Sequence, residues 1–362
     1  MRYLDEFRDS ERVKRLLKVV ESIRINKRIR VMEVCGTHTM SIRRFGIHKL
    51  VEEKVELISG PGCPVCVTPV SYVDRAIDLA RKGDVIITTF GDMVRVPGTE
   101  ISLASSGGDV RVVYSPVESL RVAVENPDKK VVFLAVGFET TVPGIALTVR
   151  EAEKNGIENF FILEGNKIMP PPIRALLEDP EMEIDAFLLP GHVCTVSGFV
   201  QYEFIKSEFG KVAVVSGFEP VDILLAIVEI LKMVSEGVKD VRNMYPRAVK
   251  PEGNRKAMEL VDSVFEKADD TWRGLGVIPM SGLRLKNRRF SAEEHFELPE
   301  RESREHPLCL CGEILKGKAK PTECKLFGRG CTPHHPVGPC MVSSEGTCAA
   351  YYKFRSLTYP ES

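Results

Sequence analysis

The sequence predicts an α/β fold, and three observations carry that prediction. Short aliphatic or β-branched runs recur along the first two thirds of the chain, most of them are apolar on both faces, and helix-like stretches separate them. A strand that is apolar on both faces belongs in a parallel sheet covered by helices. The chain opens on a helix, since Val13, Leu16, Leu17, Val20 and Ile23 share one face at helical spacing within residues 11–24. The strand runs are IRVMEV (29–34), VELIS (55–59), VIITTF (85–90), VRVVYS (110–115), VVFLAV (131–136), FFILE (160–164), IDAFLLP (184–190) and VAVVS (212–216). Helix-like stretches lie at 71–82, 143–154, 171–178 and 220–236, and a further one at 254–268 comes after the proline-bearing junction MYPRAVKPEGN. From residue 299 onward the chain is rich in Pro, Gly and Cys, a composition that builds little core and needs a staple.

Composition narrows the function. At 362 residues the chain is long enough for about two to three domains. Its 43% hydrophobic and 28% charged residues are those of a globular protein, and the net charge of −1 recruits no polyanion, so nucleic acid is not an expected partner. No apolar run reaches the ~18 residues of a spanning helix; even VDILLAIVEIL is broken by Asp222 and Glu229. The charged start MRYLDEFRDSERVKRLLKVV lacks the apolar core of a secretory signal, so a cytoplasmic protein with no membrane role is expected.

The exits of the strand runs are more specific. Val34 leads into CGTHT, Ser59 into GPGCPVC, Phe90 into GDMVRVPG, Val136 into GFETTVPG, Pro190 into GHVCTVSG and Ser216 into GFEP. Ligands of open α/β sheets bind outside the carboxyl ends of the strands, where glycine lets the backbone turn tightly, so these exits read as the rim of one or two clefts. Gly137-Phe138-Glu139 and Gly217-Phe218-Glu219 form a short echo, too short to establish a duplication. No GxxxxGK[ST] and no GxGxxG comes after any strand, so a nucleotide-driven mechanism has no sequence support.

Ten cysteines are the unusual feature, and in a reducing compartment they point to metal or redox chemistry. Cys311, Cys324, Cys331 and Cys348, with Cys309 and Cys340 among them, lie between glycines and prolines without the paired CxxC of a zinc ribbon. Four thiolates hold either an iron–sulfur cluster or a structural zinc, and six candidates leave the ligand set open. Cys63 and Cys66 form a CxxC before the helix at 71–82, which fits a dithiol/disulfide couple or half of a metal site. Cys35 and His38 share the polar turn CGTHT, as nucleophile and base or as two ligands of a soft metal. His192 in PGHV is either a further functional group or a loop histidine bonded to backbone, and Cys194 reads as structural. Glu139, Asp92 and Glu219 put carboxylates on the rim, as ligands, proton carriers or helix caps.

Taken in order, MEVCGTHT (32–39), SGPGCPVCVTP (59–69), TFGDMVRVPG (89–98), VGFETTVPG (136–144), LPGHV (189–193), SGFEP (216–220), WRGLGVI (272–278) and the closing CGEIL…ECKLFGRGCTP…MVSSEGTCAAYY resemble the HypD family of [NiFe]-hydrogenase maturation factors. The resemblance implies two Rossmann-like parallel-sheet domains facing a cleft and a third domain carrying a [4Fe-4S] cluster. Laid on this chain, that gives an N-terminal helical segment 1–28 packing with the C-terminal domain, α/β domains at 29–127 and 128–240, and a Cys-rich domain at 241–362. It implies a redox-active scaffold that assembles the Fe(CN)2CO group of the hydrogenase active site, with a HypC-type protein supplying a cysteine ligand, a HypE-type protein delivering cyanide as a thiocyanate, and onward transfer to a hydrogenase large subunit. The iron-binding cysteine of the family falls on Cys35, its redox dithiol on Cys63 and Cys66, and its cluster ligands on Cys311, Cys324, Cys331 and Cys348. His38, Glu139 and His192 then hold the Fe(II) carrying CN and CO, position its ligands or manage protons. The rival expectation from the residues is an iron–sulfur-dependent thiol–disulfide oxidoreductase, which has no need of the Cys35–His38 turn.

Overall fold

A computed structural model describes residues 5–298 and 302–355; the first four residues of the expected N-terminal segment lie outside them. Eight of the strands are those read from the sequence: β1 (Ile29–Glu33), β2 (Val55–Ser59), β3 (Val85–Thr89), β4 (Asp109–Val112), β5 (Lys130–Gly137), β6 (Phe160–Asn166), β7 (Ala186–Pro190) and β8 (Val212–Ser216). Three more come later in the chain, β9 (Val241–Asn243), β10 (Phe265–Trp272) and β11 (Gly276–Leu285). They form a five-stranded parallel sheet in the order β2-β1-β7-β8-β9, a four-stranded parallel sheet in the order β4-β3-β5-β6, and an antiparallel β10-β11 hairpin.

Side chains alternate between two buried faces on each sheet, the reason the strand runs read as apolar throughout. On the five-stranded sheet, Val31, Ala186, Leu188, Val212 and Val214 join a cluster with the helices Ser10–Ser22 and Pro220–Ser235. Their neighbours Met32, Val34, Phe187, Leu189, Ala213 and Val215 face the other way, into a core shared with Ile87, Val132, Leu134, Phe161 and Leu163 of the four-stranded sheet. The outer face of that second sheet, with Phe133, Ala135, Phe160 and Ile162, is covered by the helices Glu118–Glu125, Val142–Lys154 and Arg255–Val264. The central core between the sheets also takes in seven cysteines, among them Cys63, Cys66, Cys311 and Cys340. None of the helices among the described residues is long and apolar enough to cross a membrane.

Three boundaries differ from the sequence reading. The sheets interleave: the chain lays down β1 and β2, builds all of the second sheet with β3 to β6, then returns to the first with β7 to β9. A division at 127/128 therefore separates no sheet from another, and β9 carries the first sheet past residue 240. The N-terminal helix packs Val13, Leu16, Leu17, Val20 and Ile23 against the first sheet's helix Pro220–Ser235, and Phe7 before it lies under the Arg247 guanidinium, 3.9 Å away, within the expected C-terminal domain. The expected helix at 254–268 stops at Val264, where Phe265 starts β10; pairing with β11 from Phe265↔Leu285 to Trp272↔Gly276 overrides the helical pattern.

The first sheet's two cysteine-bearing exits are locked together. The Gly36 N–H donates to the Gly62 carbonyl at 3.0 Å and the Gly60 N–H to the Glu33 carbonyl at 2.8 Å. A Cβ on Gly62 would sit 2.2 Å from the Cys35 nitrogen and 2.4 Å from the Val34 carbonyl carbon, so only glycine fits there. Replacing Gly62 by Ala pushes backbone against backbone and is expected to cost about 3 kcal/mol, the upper range of overpacking. A urea unfolding curve measures this as a lower midpoint at unchanged slope.

Candidate functional site

Cys35 caps the helix Gly36–Arg44 in extended conformation and is buried. Its thiol is pushed up to about 12 by that burial and then by the Glu345 carboxylate, while backbone N–H groups of His38 and Thr37 pull the other way. Glu345 arrives from the closing MVSSEG segment: the Thr37 hydroxyl donates to its Oε1 at 2.5 Å, and a Cβ on Gly36 would meet its carbonyl oxygen at 2.3 Å. His38 is fully buried, with Nε2 2.9 Å from the Gly217 carbonyl and Nδ1 without a hydrogen bond. Desolvation holds it down to about 4, so at neutral pH the ring is uncharged, donates through Nε2 and leaves a lone pair on Nδ1. Both His38 and His192 stack on Phe218, with centroids 4.6 and 3.8 Å away. The exits of β1, β7 and β8 thus bring Cys35, His38 and His192 together, and Glu345 and Phe218 complete the group.

Cys63 caps the short helix Pro64–Val67 and its Sγ accepts from the Cys66 N–H at 3.3 Å. The two sulfurs are 2.6 Å apart as free thiols, close enough for a disulfide to form between them. Cys66 is fully buried and its thiol is raised by burial, then by donating a hydrogen bond to Cys340. Cys340 also lies 2.8 Å from Cys311, sulfur to sulfur, and the hydrogen bonds from Cys311 and Cys66 pull it below its ordinary value. Sequence reasoning left open whether Cys340 is a cluster ligand; its position between two sulfur groups could be found only once the fold was known.

All six C-terminal cysteines, Cys309, Cys311, Cys324, Cys331, Cys340 and Cys348, line one pocket whose other walls are Ile314, Leu326, Phe327, Gly338 and Met341. No charged side chain is among them, and the Val337 N–H donates to Cys331 Sγ at 3.3 Å. Among the described residues no three His, Cys, Asp or Glu side chains converge on a single metal ion. An apolar pocket with thiols distributed around it and a backbone N–H aimed at one sulfur is compatible with the donor set of a cubane iron–sulfur cluster.

The carboxylates divide differently. Asp92 accepts from the Ser343 hydroxyl at 2.9 Å and the Ser344 N–H at 3.3 Å, which ties the MVSSEG segment down beside Cys35. Glu219 is the N-cap of the helix Pro220–Ser235 and pairs with Arg8 at 2.5 Å. Glu139 is buried, accepts from the Met169 N–H at 2.9 Å and has its carboxyl raised to about 7 by desolvation. It lines a largely apolar pocket of about 230 Å³ against the helix Arg255–Val264 and the hairpin, a pocket to which neither Cys35 nor His38 contributes. Cys194 is buried in the central core.

A family model described as "HypD: Hydrogenase formation hypA family" matches residues 11–355. The chain is 44% identical over 368 residues to the hydrogenase maturation factor HypD2 of Bradyrhizobium diazoefficiens, covering 98% of this chain and 97% of the relative. It is 44% identical over 367 residues to hydrogenase maturation factor HypD of Escherichia coli, covering 98% of each, and 43% identical over 370 residues to that of Rhodobacter capsulatus, again covering 98% of each.

Phe218 stacks on the buried His38 ring and helps to cover it. Since burial is the largest influence depressing His38, Phe218→Ala is expected to raise its pKa from about 4 toward the ordinary 6.5. An NMR pH titration of the ring protons reads this directly; an unmoved His38 contradicts it.

Proposed function

The chain belongs to the HypD family, and from that premise we propose that it is a hydrogenase maturation factor on which Fe(CN)2CO is assembled at Cys35. The observation that carries this reading is the run of sulfurs from the cysteine pocket through Cys340 to Cys66 and Cys63, ending at a turn locked against Cys35. Low-spin Fe(II) with cyanide and carbonyl ligands suits a soft thiolate anchor. Iron binding displaces the thiol proton, which stabilises Cys35 in the charged form that burial otherwise disfavours. His38 offers a neutral nitrogen lone pair in the same turn, and His192 flanks it at the exposed side of Phe218.

Cyanide delivered as a thiocyanate must be released reductively. Breaking the S–CN bond takes two electrons and yields a thiolate on the donor and a cyanide ion for the iron. The Cys63–Cys66 dithiol supplies both by closing to a disulfide and giving up two protons. A [4Fe-4S] cluster held by Cys311, Cys324, Cys331 and Cys348 supplies single electrons when bound. Cys340 lines that pocket and touches Cys66, and Glu345 and Thr37 fix the turn that presents Cys35. The proposed partners are a HypC-type protein that adds a cysteine ligand to the iron, a HypE-type thiocyanate donor and the hydrogenase large subunit that receives the group. A plain thiol–disulfide oxidoreductase would leave the Cys35, His38 and Glu345 constellation without a purpose.

Anaerobically purified protein is expected to be brown, to contain iron and sulfide, and to show cyanide and carbonyl stretches in the infrared after loading by its partners. Cys35→Ala is expected to lose those stretches and keep the visible absorption of the cluster. Loss of both together, or stretches that persist unchanged in a Cys63→Ser, Cys66→Ser double variant, would overturn the assignment.

A further inference from the structure

The motif WRGLGVI has no part in the chemistry above, yet its turn lies between the two sulfur groups. The Arg273 backbone N–H donates to the Val67 carbonyl at 2.8 Å and its Nε–H to the Thr68 carbonyl at 2.9 Å, both at the end of the CxxC helix. On the other side Gly274, at φ +78°, is pressed so closely on the start of the helix Cys311–Leu315 that a Cβ would lie 2.4 Å from the Gly312 Cα. Arg273 is therefore clamped between Cys66 and Cys311 by backbone contacts on both flanks, and with Cys309 it lines a cleft of about 800 Å³.

The guanidinium is only 5% exposed and poorly compensated. Among the described residues its carboxylate partner is Glu305, 3.4 Å from Nη1 and 41% exposed, and Nη2 is buried without a hydrogen-bond partner. Burying a guanidinium on such terms is costly unless another negative charge lies close by. The Arg273 turn is pressed on the start of the helix that begins at Cys311, and Arg273 and Cys309 line the same cleft, so an anionic centre in the cysteine pocket would place the missing counter-charge beside the guanidinium. We infer that Arg273 is a positioning residue for electron transfer: its buried positive charge raises the reduction potential of the redox centre in the cysteine pocket. This rests on the reading of that pocket as an iron–sulfur site. A cluster held by four thiolates is anionic and gains a further negative charge on reduction, so a fixed cation stabilises the reduced form more than the oxidised one.

The test is an anaerobic redox titration of the full chain, monitored by visible absorption and by the paramagnetic signal of the reduced cluster. Arg273→Gln is expected to shift the midpoint to more negative potential, and Arg273→Lys, which keeps the charge, to stay near the wild-type value. Glu305→Gln removes the offsetting carboxylate at the surface and is expected to shift the midpoint the opposite way, which keeps the test decisive if Arg273→Gln fails to retain a cluster. Equal midpoints in the Gln and Lys variants, or an unmoved midpoint in Glu305→Gln, would overturn the inference. A wild-type protein without iron and sulfide would instead remove the reading beneath it, so the two failures are distinguishable.

Discussion

The contact between the Gly36 N–H and the Gly62 carbonyl is the one on which the arrangement depends. It joins the exits of two adjacent parallel strands, and parallel pairing of β1 with β2 in register from Ile29↔Val55 to Glu33↔Ser59 delivers both turns to the same level of the sheet. Without side chains on Gly60 and Gly62 the second turn can lie directly on the backbone of the first, which brings Cys63 to Cys35 across some thirty residues of sequence. The Cys-rich segment then closes over the pair: Asp92 holds Ser343 and Ser344, Glu345 caps the Cys35 turn, and Cys340 reaches Cys66.

Electrostatics gives this closure its chemical sense. Cys35, His38 and Cys66 are all buried, and burial pushes each toward its neutral form, the thiols upward and the imidazole downward. Such groups are inert until a metal ion or a second sulfur takes the place of the proton. A buried thiol held in its neutral form is protected from indiscriminate oxidation. Cys340 is the exception, pulled down by hydrogen bonds from Cys311 and Cys66 on its two sides.

The eight apolar strand runs and their glycine exits were legible because their signals are local: two-faced burial and tight turns leave marks in consecutive residues. Cys35, His38, Cys63 and Cys66 were legible for the same reason, each pair lying within one turn. What the sequence hid is non-local. Nothing in β1 or β2 announces that the chain leaves to build a second sheet before returning with β7. The hairpin at Phe265 was masked by a helical pattern that runs into it, and the apolar stripe of the N-terminal helix did not identify Pro220–Ser235 as the helix it covers. Cys340 stood among six candidates for four places, and Glu345 and Phe218 stood in motifs beside more reactive residues; each finds its partner only through folding.

The central claim is that Cys340 couples the cysteine pocket to the Cys63–Cys66 pair. It is tested most directly by oxidising the pair in the full chain, adding dithionite anaerobically and tracking the return of the two thiols by rapid alkylation and mass spectrometry. The account predicts that Cys340→Ala slows that return by about tenfold or more, a barrier increase of ~1.4 kcal/mol or above, while Cys194→Ala, another buried cysteine of the same core, leaves it unchanged. Equal rates in wild type and Cys340→Ala would contradict it.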